Sequence, residues 1–332
     1  MGLHVKKKLL IGLLMGHMLV THAAEHVANH STRSILRQNS RQELLRTGFD
    51  QAGPVLKAVS SPRLHSSIAL IYDQQTQSPL YTKNSDALAP IASITKLMTA
   101  MVVLDAQLPL DEEITITVAD IDTLKGTHSR LRIGMSLARS ELLKLALMAS
   151  ENRAAAALTR TFPGGTDAAI MAMNAKAREL GMQSTRFLDP TGLSSNNVST
   201  ANDLVKMVAA ARDYPLIHQY TTTASHSVDG WRGREMRFVN TNPLVKNASW
   251  DIGVSKTGYI SEAGRCLVMG ATINQRPVII VLLDSWGKHT RIGDANRIKK
   301  WMEHAHMEAS RQGIEDSGQF HRLGSMNRIP AT

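Results

Sequence analysis

The order of hydrophobic periods along the chain restricts its fold more than any other feature. Three apolar runs of strand length follow one another in the last third of the chain: "GVSKTGYI" (253–260), "CLVMGATI" (266–273) and "RPVIIVLLDS" (276–285). Their short connections predict antiparallel pairing. A hairpin is also predicted at 66–84, where two β-rich runs flank "DQQTQ". Strands near both ends with helices between them predict an α+β fold, in which a helical subdomain lies beside one antiparallel sheet.

The middle of the chain, roughly residues 100–230, has mostly helical periodicity. We expect helices in "ARSELLKLALMAS" (138–150), in "TDAAIMAMNAKARELG" (166–181), which ends in glycine, and in "STANDLVKMVAAAR" (199–212), which opens with a capping-box-like arrangement. A last helix is predicted from about 291 to 306. These segments would flank the sheet and supply the inserted helical subdomain.

The first residues have the pattern of a secretory signal. A run of three lysines, Lys6 to Lys8, precedes apolar residues from Leu9 to Val20 and then small residues suited to cleavage near residue 24. The apolar run is too short for a stable membrane span, although an uncleaved anchor is the alternative. We therefore predict a signal peptide at 1–24 and an exported, periplasmic protein that is soluble once the signal is removed.

The remaining domain boundaries follow from composition. Residues 25–63 are polar and are interpreted as an N-terminal arm, residues 64–306 as the catalytic domain, and residues 307–332 as a polar tail. The chain of 332 residues, 43% of them hydrophobic, is long enough to bury a sizeable core. No internal repeat is visible.

Charge and cysteine content limit the partners and cofactors. Cys266 is the only cysteine, so an intramolecular disulfide and a cysteine-rich zinc site are excluded, and no histidine pattern predicts a metal site. We expect no cofactor. The formal charge of +10 favours an anionic partner. For an exported protein this is a wall polymer or a membrane surface, bound in a salt-sensitive way, and not a nucleic acid.

A serine and a lysine stand three positions apart in "IASITKLMTA" (91–100). Residues i and i+3 of a helix share a face, so Ser93 and Lys96 would be neighbours. A serine hydroxyl becomes a good nucleophile when a base removes its proton, and lysine is such a base when burial or nearby positive charge lowers its pKa. The S-x-x-K pattern is common by chance, and a surface lysine near a helix start is the alternative.

Two further motifs favour a catalytic role for Ser93 and Lys96 over a chance match. Ser150-Glu151-Asn152 forms S-x-N after an apolar helix, and Lys256-Thr257-Gly258 forms K-T-G on a predicted strand. S-x-x-K, S-x-N and K-T-G in this order and in these contexts are the signature of penicillin-binding proteins and serine β-lactamases. The chain resembles low-molecular-mass penicillin-binding proteins, the D-alanyl-D-alanine carboxypeptidases and endopeptidases.

The resemblance covers roughly residues 64–305. It includes "LKGTHSRLRIG" (124–134) and "DPTGLSSNNVSTANDL" (189–204), which are similar to connecting segments of the family. It implies the serine β-lactamase/transpeptidase-like form of the α+β fold. The chain is most similar to the endopeptidase branch, because residues 307–332 are too few for the C-terminal β-domain that carboxypeptidases of the group usually add.

The resemblance implies four catalytic roles. Ser93 would attack the carbonyl of a D-Ala residue and form an acyl-enzyme, with Lys96 as its base. Ser150 would relay a proton to the leaving amine. Asn152 would hydrogen-bond the backbone of the substrate peptide.

It also implies a set of substrate-binding residues. Lys256 would supply positive charge, Thr257 would offer its hydroxyl to the substrate carboxylate, and Gly258 would let substrate lie close to the strand. The backbone N–H groups of Ser93 and Tyr259 would form the oxyanion hole. Arg291 would face the substrate carboxylate, or else would be a solvated arginine at a helix start.

The implied activity is a penicillin-inhibited serine D,D-peptidase that cleaves D-Ala-to-diaminopimelate crosslinks in peptidoglycan. Its partners would be peptidoglycan stem peptides and β-lactam antibiotics. A D,D-carboxypeptidase that releases terminal D-Ala, and a non-catalytic penicillin-binding sensor, stay open as alternatives. Efficient β-lactam hydrolysis is disfavoured because "DPTGLSSNN" offers Asp189 but no glutamate for deacylation.

Overall fold

The computed structural model describes residues 61–230 and 233–311, and the predictions for the signal peptide, for most of the arm and for the tail beyond residue 311 lie outside these residues. The described elements, in chain order, are β1 (Ile68–Asp73), β2 (Ser78–Lys83), β3 (Ala89–Pro90), a 3-10 turn (Ala92–Ile94), α1 (Thr95–Asp105), β4 (Glu113–Thr115), a 3-10 turn (Val118–Asp120), β5 (Ser136–Ala138), α2 (Arg139–Met148), α3 (Asn152–Arg160), α4 (Gly165–Glu179), β6 (Val198–Ser199), α5 (Ala201–Ala211), α6 (Pro215–Thr221), β7 (Ser225–Asp229), β8 (Glu235–Val239), a 3-10 turn (Pro243–Lys246), β9 (Asp251–Ile260), β10 (Gly264–Ile273), β11 (Arg276–Ser285) and α7 (Thr290–Arg311).

A five-stranded antiparallel sheet has the order β2-β1-β11-β10-β9. Strand β1 pairs with β11, so Leu70 lies opposite Val281, and β10 places Val268 between Val281 and Lys256 of β9. The predicted hairpin and the three predicted C-terminal strands are confirmed. The helices from α1 to α6 lie in the sequence between the two groups of strands, which confirms the α+β architecture.

The sheet is covered on both faces, which explains why its central strands are apolar along their whole length. Alternate residues such as Leu70, Val268 and Val281 belong to a core shared with the helices between β2 and β9. Their neighbours, such as Met269 and Ile280, belong to a second core that α7 covers. Cys266 lies in the first core, fully buried, as a structural thiol.

Three two-stranded ribbons, β3·β6, β4·β5 and β7·β8, were not predicted. Their strands are short, and most of their residues are partly or fully exposed. Such strands carry too few apolar residues to produce a period of two.

The last helix is longer than predicted. It ends at Arg311 and not near residue 306, so the start of the predicted polar tail is helical. The added residues include methionine, glutamate, alanine and arginine, which are good helix formers. Among the described residues, no helix combines the length and the apolar character needed to cross a bilayer.

Candidate active site

Ser93 lies in a 3-10 turn immediately before α1. The sequence had predicted that it lies inside the α-helix. Ala92 has a φ of +46°, a left-handed conformation that is rare for a residue with a side chain. Its neighbours Ile91 and Ile94 are completely buried, whereas Ser93 is partly accessible. The strained turn therefore presents the serine hydroxyl from an otherwise buried backbone.

Lys96 is the closest charged partner of this serine. Its Nζ lies 2.8 Å from Ser93 Oγ, 2.7 Å from Asn152 Oδ1 and 2.6 Å from the carbonyl oxygen of Thr191. The side chain is 1% exposed. Burial lowers the pKa of Lys96 to about 7, although the charges of nearby carboxylates oppose the shift. A free amine is thus accessible beside Ser93 near neutral pH.

The S-x-N motif comprises the turn between α2 and α3 and the first residue of α3. Ser150 has a φ of +61°, and its Oγ accepts a hydrogen bond from Lys256 Nζ at 2.8 Å. The side-chain amide of Asn152 accepts from Lys96 and donates to Thr127 Oγ1 at 2.9 Å. Asn152 therefore connects the lysine to the loop at 121–134.

The K-T-G motif lies on β9, at the edge of the sheet. Besides Ser150, Lys256 Nζ donates to the carbonyl oxygen of Thr257 at 2.9 Å, and Thr257 Oγ1 donates to Thr241 Oγ1 at 2.6 Å. Lys256 is buried, and its pKa is lowered well below the usual value by burial, by the charge of Lys96 and by the charge of Arg291. A positive charge on Lys96 therefore disfavours a positive charge on Lys256.

Arg291 is buried at the start of α7, so it is not the solvated arginine that the sequence left open. Its Nη1 donates to the carbonyl oxygen of Gly258 at 2.9 Å, while its Nε lacks a hydrogen-bond partner. Burial and the charge of Arg265 lower the pKa of this guanidinium. In this structure Arg291 therefore supports the backbone of the K-T-G strand at Gly258.

Two glycines allow backbone to pack against the serine turn. A Cβ on Gly258 would lie 2.9 Å from the carbonyl oxygen of Ile91 and 3.1 Å from the backbone nitrogen of Ser93. A Cβ on Gly192, whose φ is +81°, would lie 1.9 Å from the carbonyl oxygen of Ala92. The turn is thus held between β9 and the loop at 189–197.

That loop borders the site, although none of its residues was predicted to belong to it. Asp189 accepts hydrogen bonds from the backbone N–H groups of Thr191 at 2.7 Å, Gly192 at 2.8 Å and Ser194 at 2.9 Å. These bonds fix the Thr191 carbonyl that receives Lys96 Nζ. The turn-forming residues "DPTG" predict a loop, but they do not predict its contact with Lys96.

Every residue predicted for the site is therefore in or beside one cluster. Tyr259 follows Gly258 on β9 and is 56% exposed, and the Arg265 guanidinium lies 4.5 Å from the centroid of its ring. Within the described ranges, no group of three or more metal-ligating side chains is present.

A serine bonded to a buried lysine, a second serine bonded to a K-T-G lysine, and an antiparallel sheet with helices together define the class of penicillin-binding, active-site serine enzymes. The sequence profile of the peptidase S11 family, described as D-alanyl-D-alanine carboxypeptidase, matches residues 55–287, and the chain belongs to this family. The resemblance seen in the motifs is confirmed.

Relatives within the family include enzymes of the endopeptidase branch. The chain is 51% identical to the D-alanyl-D-alanine endopeptidase of Pseudomonas aeruginosa over 242 residues, which are 72% of this chain and 78% of that protein. It is 48% identical to the D-alanyl-D-alanine endopeptidase of Escherichia coli over 248 residues, 74% of this chain and 79% of that one. The crystal structure of the Streptomyces K15 DD-transpeptidase matches with a TM-score of 0.68 and 29% identity, covering 73% of this chain and 98% of that one.

Proposed function

We propose that this protein is a serine D,D-peptidase of peptidoglycan, which cleaves the D-Ala-to-diaminopimelate crosslink through an acyl-enzyme on Ser93. The observation that carries the proposal is the Lys96 amine, which lies 2.8 Å from Ser93 Oγ and has a pKa of about 7. A base with a pKa near the working pH combines the correct protonation state with sufficient basicity.

In acylation, neutral Lys96 takes the proton of the Ser93 hydroxyl as Oγ attacks the D-Ala carbonyl. The carbonyl oxygen becomes an oxyanion, which the backbone N–H groups of Ser93 and Tyr259 stabilise, each by about 3 kcal/mol in the transition state. As the peptide bond breaks, the leaving amine receives a proton through Ser150. An ester between Ser93 and D-Ala remains.

The substrate carboxylate, where present, would bind at the Thr257 hydroxyl near Lys256. Because burial disfavours the charge of Lys256 in the free protein, an anionic group beside it would raise its pKa and restore that charge. Asn152 would hydrogen-bond the substrate backbone. Arg291 would contribute positive charge from behind β9.

In deacylation, water loses a proton to the site base and attacks the ester, so that Ser93 regains its proton and the D-Ala carboxylate is released. Asp189 is a poor base for this step, because its carboxylate is occupied by the N–H groups of its own loop. This favours slow loss of a penicillin adduct, and therefore inhibition by β-lactams over their hydrolysis.

The choice of an endopeptidase over a carboxypeptidase rests on the two relatives at 51% and 48% identity, which are both D-alanyl-D-alanine endopeptidases. Both reactions use the same acyl-enzyme and differ in the leaving amine. We further propose that the protein is exported to the periplasm by its signal peptide. The full chain carries +10, of which Lys6, Lys7 and Lys8 of the signal contribute three, and we propose that the remaining charge of +7 holds the mature protein on the anionic wall or membrane surface at low salt.

The proposal is tested with protein that lacks residues 1–24, given a crosslinked muropeptide dimer and a pentapeptide monomer, with products followed by chromatography and mass spectrometry. We expect the dimer to be converted to monomers and penicillin to block the reaction. Ser93→Ala should abolish turnover, whereas Ser78→Ala on β2 removes a hydroxyl that contacts Thr76 and should keep it.

The alternatives predict other outcomes. Release of D-Ala from the monomer with an intact dimer would establish a carboxypeptidase. Stable penicillin acylation of Ser93 without turnover of either peptide would establish a sensor.

A further inference from the structure

The proposed function gives the substrate a direction along β9, and the following inference rests on it. The substrate carboxylate lies at Thr257 and the scissile carbonyl at the N–H of Tyr259. The part of the peptide that precedes the scissile bond therefore extends toward Ile260 and the turn after it. An extended peptide that runs in this direction would bring the side chain of the residue before the acylated D-Ala, which is the third residue of the stem, to this turn.

An ion pair lies at this end of the site. Lys125 Nζ, from the loop at 121–134, contacts Glu262 Oε1 in the turn between β9 and β10. The two side chains are 31% and 41% exposed. The pair joins the helical side of the site to its sheet side while both charges stay accessible to a ligand.

The part of the loop around Lys125 is held by the Asp122 carboxylate. Asp122 accepts hydrogen bonds from the backbone N–H groups of Leu124 at 2.8 Å, Lys125 at 3.0 Å and Thr127 at 2.8 Å. Thr127 Oγ1 in turn accepts from Asn152 at 2.9 Å. The position of Lys125 is thus fixed relative to Asn152, the residue expected to bind the substrate backbone.

The acidic partner is ionised at physiological pH. The hydrogen bond from Lys125 lowers the pKa of Glu262 to about 2, and Ser261 Oγ also donates to this carboxylate, at 2.8 Å. A solvent-exposed ion pair stabilises a protein little, so replacing one of its partners by a ligand charge costs little. The two charges are available for exchange.

We propose that Lys125 and Glu262 form a subsite for the zwitterionic end of the diaminopimelate side chain in the stem that donates the acyl group. Lys125 binds the free carboxylate and Glu262 binds the free ammonium, which gives an array of alternating charge. A third residue that lacks either charge leaves one protein charge without its new partner. The subsite therefore selects stems by the chemistry of their third residue.

The test compares three synthetic dimers that share one acceptor stem and differ in the third residue of the donor. The first carries diaminopimelate, the second its carboxamide, and the third its N-acetyl derivative. Because exposed charge pairs contribute modestly, we expect kcat/KM of the wild-type protein to be roughly threefold to tenfold higher for the zwitterion than for either derivative.

Two variants should separate the two contacts. Lys125→Gln is expected to remove the preference for the zwitterion over the carboxamide, while it keeps the preference over the N-acetyl derivative. Glu262→Gln should remove the preference over the N-acetyl derivative and keep the preference over the carboxamide. The added bulk of the acetyl group is the same for every protein, so it does not affect the comparison between variants. Lys246→Gln, at an exposed lysine near the opposite end of β9, removes the same charge and should keep both preferences.

The outcomes separate this inference from the function on which it rests. No cleavage of any dimer by the wild-type protein would contradict the endopeptidase. Cleavage of all three at one rate would contradict the subsite alone. Equal slowing of all three dimers by Lys125→Gln, with unchanged ratios and an unchanged melting temperature, would show that the pair only positions the loop, and would overturn the proposal.

Discussion

The pKa of Lys96 is set by two opposing influences on its side chain. Its Nζ has three oxygen acceptors, which favour the ammonium form, but the side chain is 1% exposed, which favours the free amine. Burial is the largest influence and lowers the pKa to about 7. The charge of Lys96 in turn contributes to lowering the pKa of Lys256, whose shift is caused chiefly by burial.

This pKa predicts the pH dependence of acylation. Below its pKa Lys96 is protonated and is no base, so the second-order rate of acylation by penicillin should rise with pH and level off above about 7. One unit below the midpoint, roughly a tenth of the maximal rate should remain. The rate is measured by stopped flow between pH 5 and 9, with far-UV circular dichroism as a control for folding. A midpoint near 10 would contradict the role of Lys96 as a buried base.

At the scale of elements, the reactive turn is held by backbone from two sides. Strand β9 approaches at Gly258, and the loop at 189–197 approaches at Gly192. The loop owes its shape to Asp189, and Asn197 adds a hydrogen bond from its Nδ2 to Thr95 Oγ1 at 3.1 Å. The geometry of Ser93 thus depends on two elements distant in sequence.

The substitution Gly192→Ala tests this support. Its Cβ would lie 1.9 Å from the carbonyl oxygen of Ala92, so the turn must move, and we expect penicillin acylation to fall by about a hundredfold. Gly181→Ala is the matched control, because Gly181 also has a positive φ, +70°, but has open space for a Cβ. Both variants should lose about 1–2 kcal/mol of stability from the left-handed conformation. If Gly192→Ala kept the wild-type acylation rate, the contact with Ala92 would have no catalytic consequence.

At the scale of the whole molecule, a buried carboxylate connects the beginning and the end of the domain. Asp294 of α7 is completely buried and accepts hydrogen bonds from the backbone N–H of Ser66 at 2.7 Å and from its hydroxyl at 2.6 Å. Ser66 Oγ also lies 2.7 Å from Ser285 Oγ at the end of β11. Burial by itself raises the pKa of Asp294, but hydrogen bonds from Ser66, His65 and Arg297 outweigh it and leave the pKa below the usual value.

Asp294→Asn should therefore destabilise the whole domain. At pH 7 we expect the free energy of unfolding to fall by about 1–3 kcal/mol, since an amide cannot accept every hydrogen bond that the carboxylate accepts. A carboxyl whose pKa is lower in the folded state stabilises that state above its unfolded pKa, and this contribution is lost as the pH falls through the folded value.

The difference between wild type and Asp294→Asn should shrink below about pH 4, the range in which an unfolded aspartate titrates. Urea titrations at several pH values measure it. Asp111→Asn, at an exposed aspartate, should leave the stability within experimental error. A difference that stayed constant down to pH 2 would show that the charge of Asp294 is not involved.

The sequence alone was sufficient for the sheet, the main helices and the three motifs. Continuous apolar runs and helical periodicity are local properties, so β9, β10, β11 and α5 could be found without knowing their partners. The spacing of Ser93 and Lys96 likewise predicts their contact, because it depends on one turn of backbone.

The fold was needed for everything that depends on distant residues or on burial. The carbonyl of Thr191 that receives Lys96, the contact of Arg291 with Gly258 and the pair of Lys125 with Glu262 join residues that no local pattern connects. The pKa of Lys96 is set by the loss of water around it, which exists only when distant segments pack together. Reactivity therefore follows from long-range packing, whereas secondary structure follows from short-range pattern.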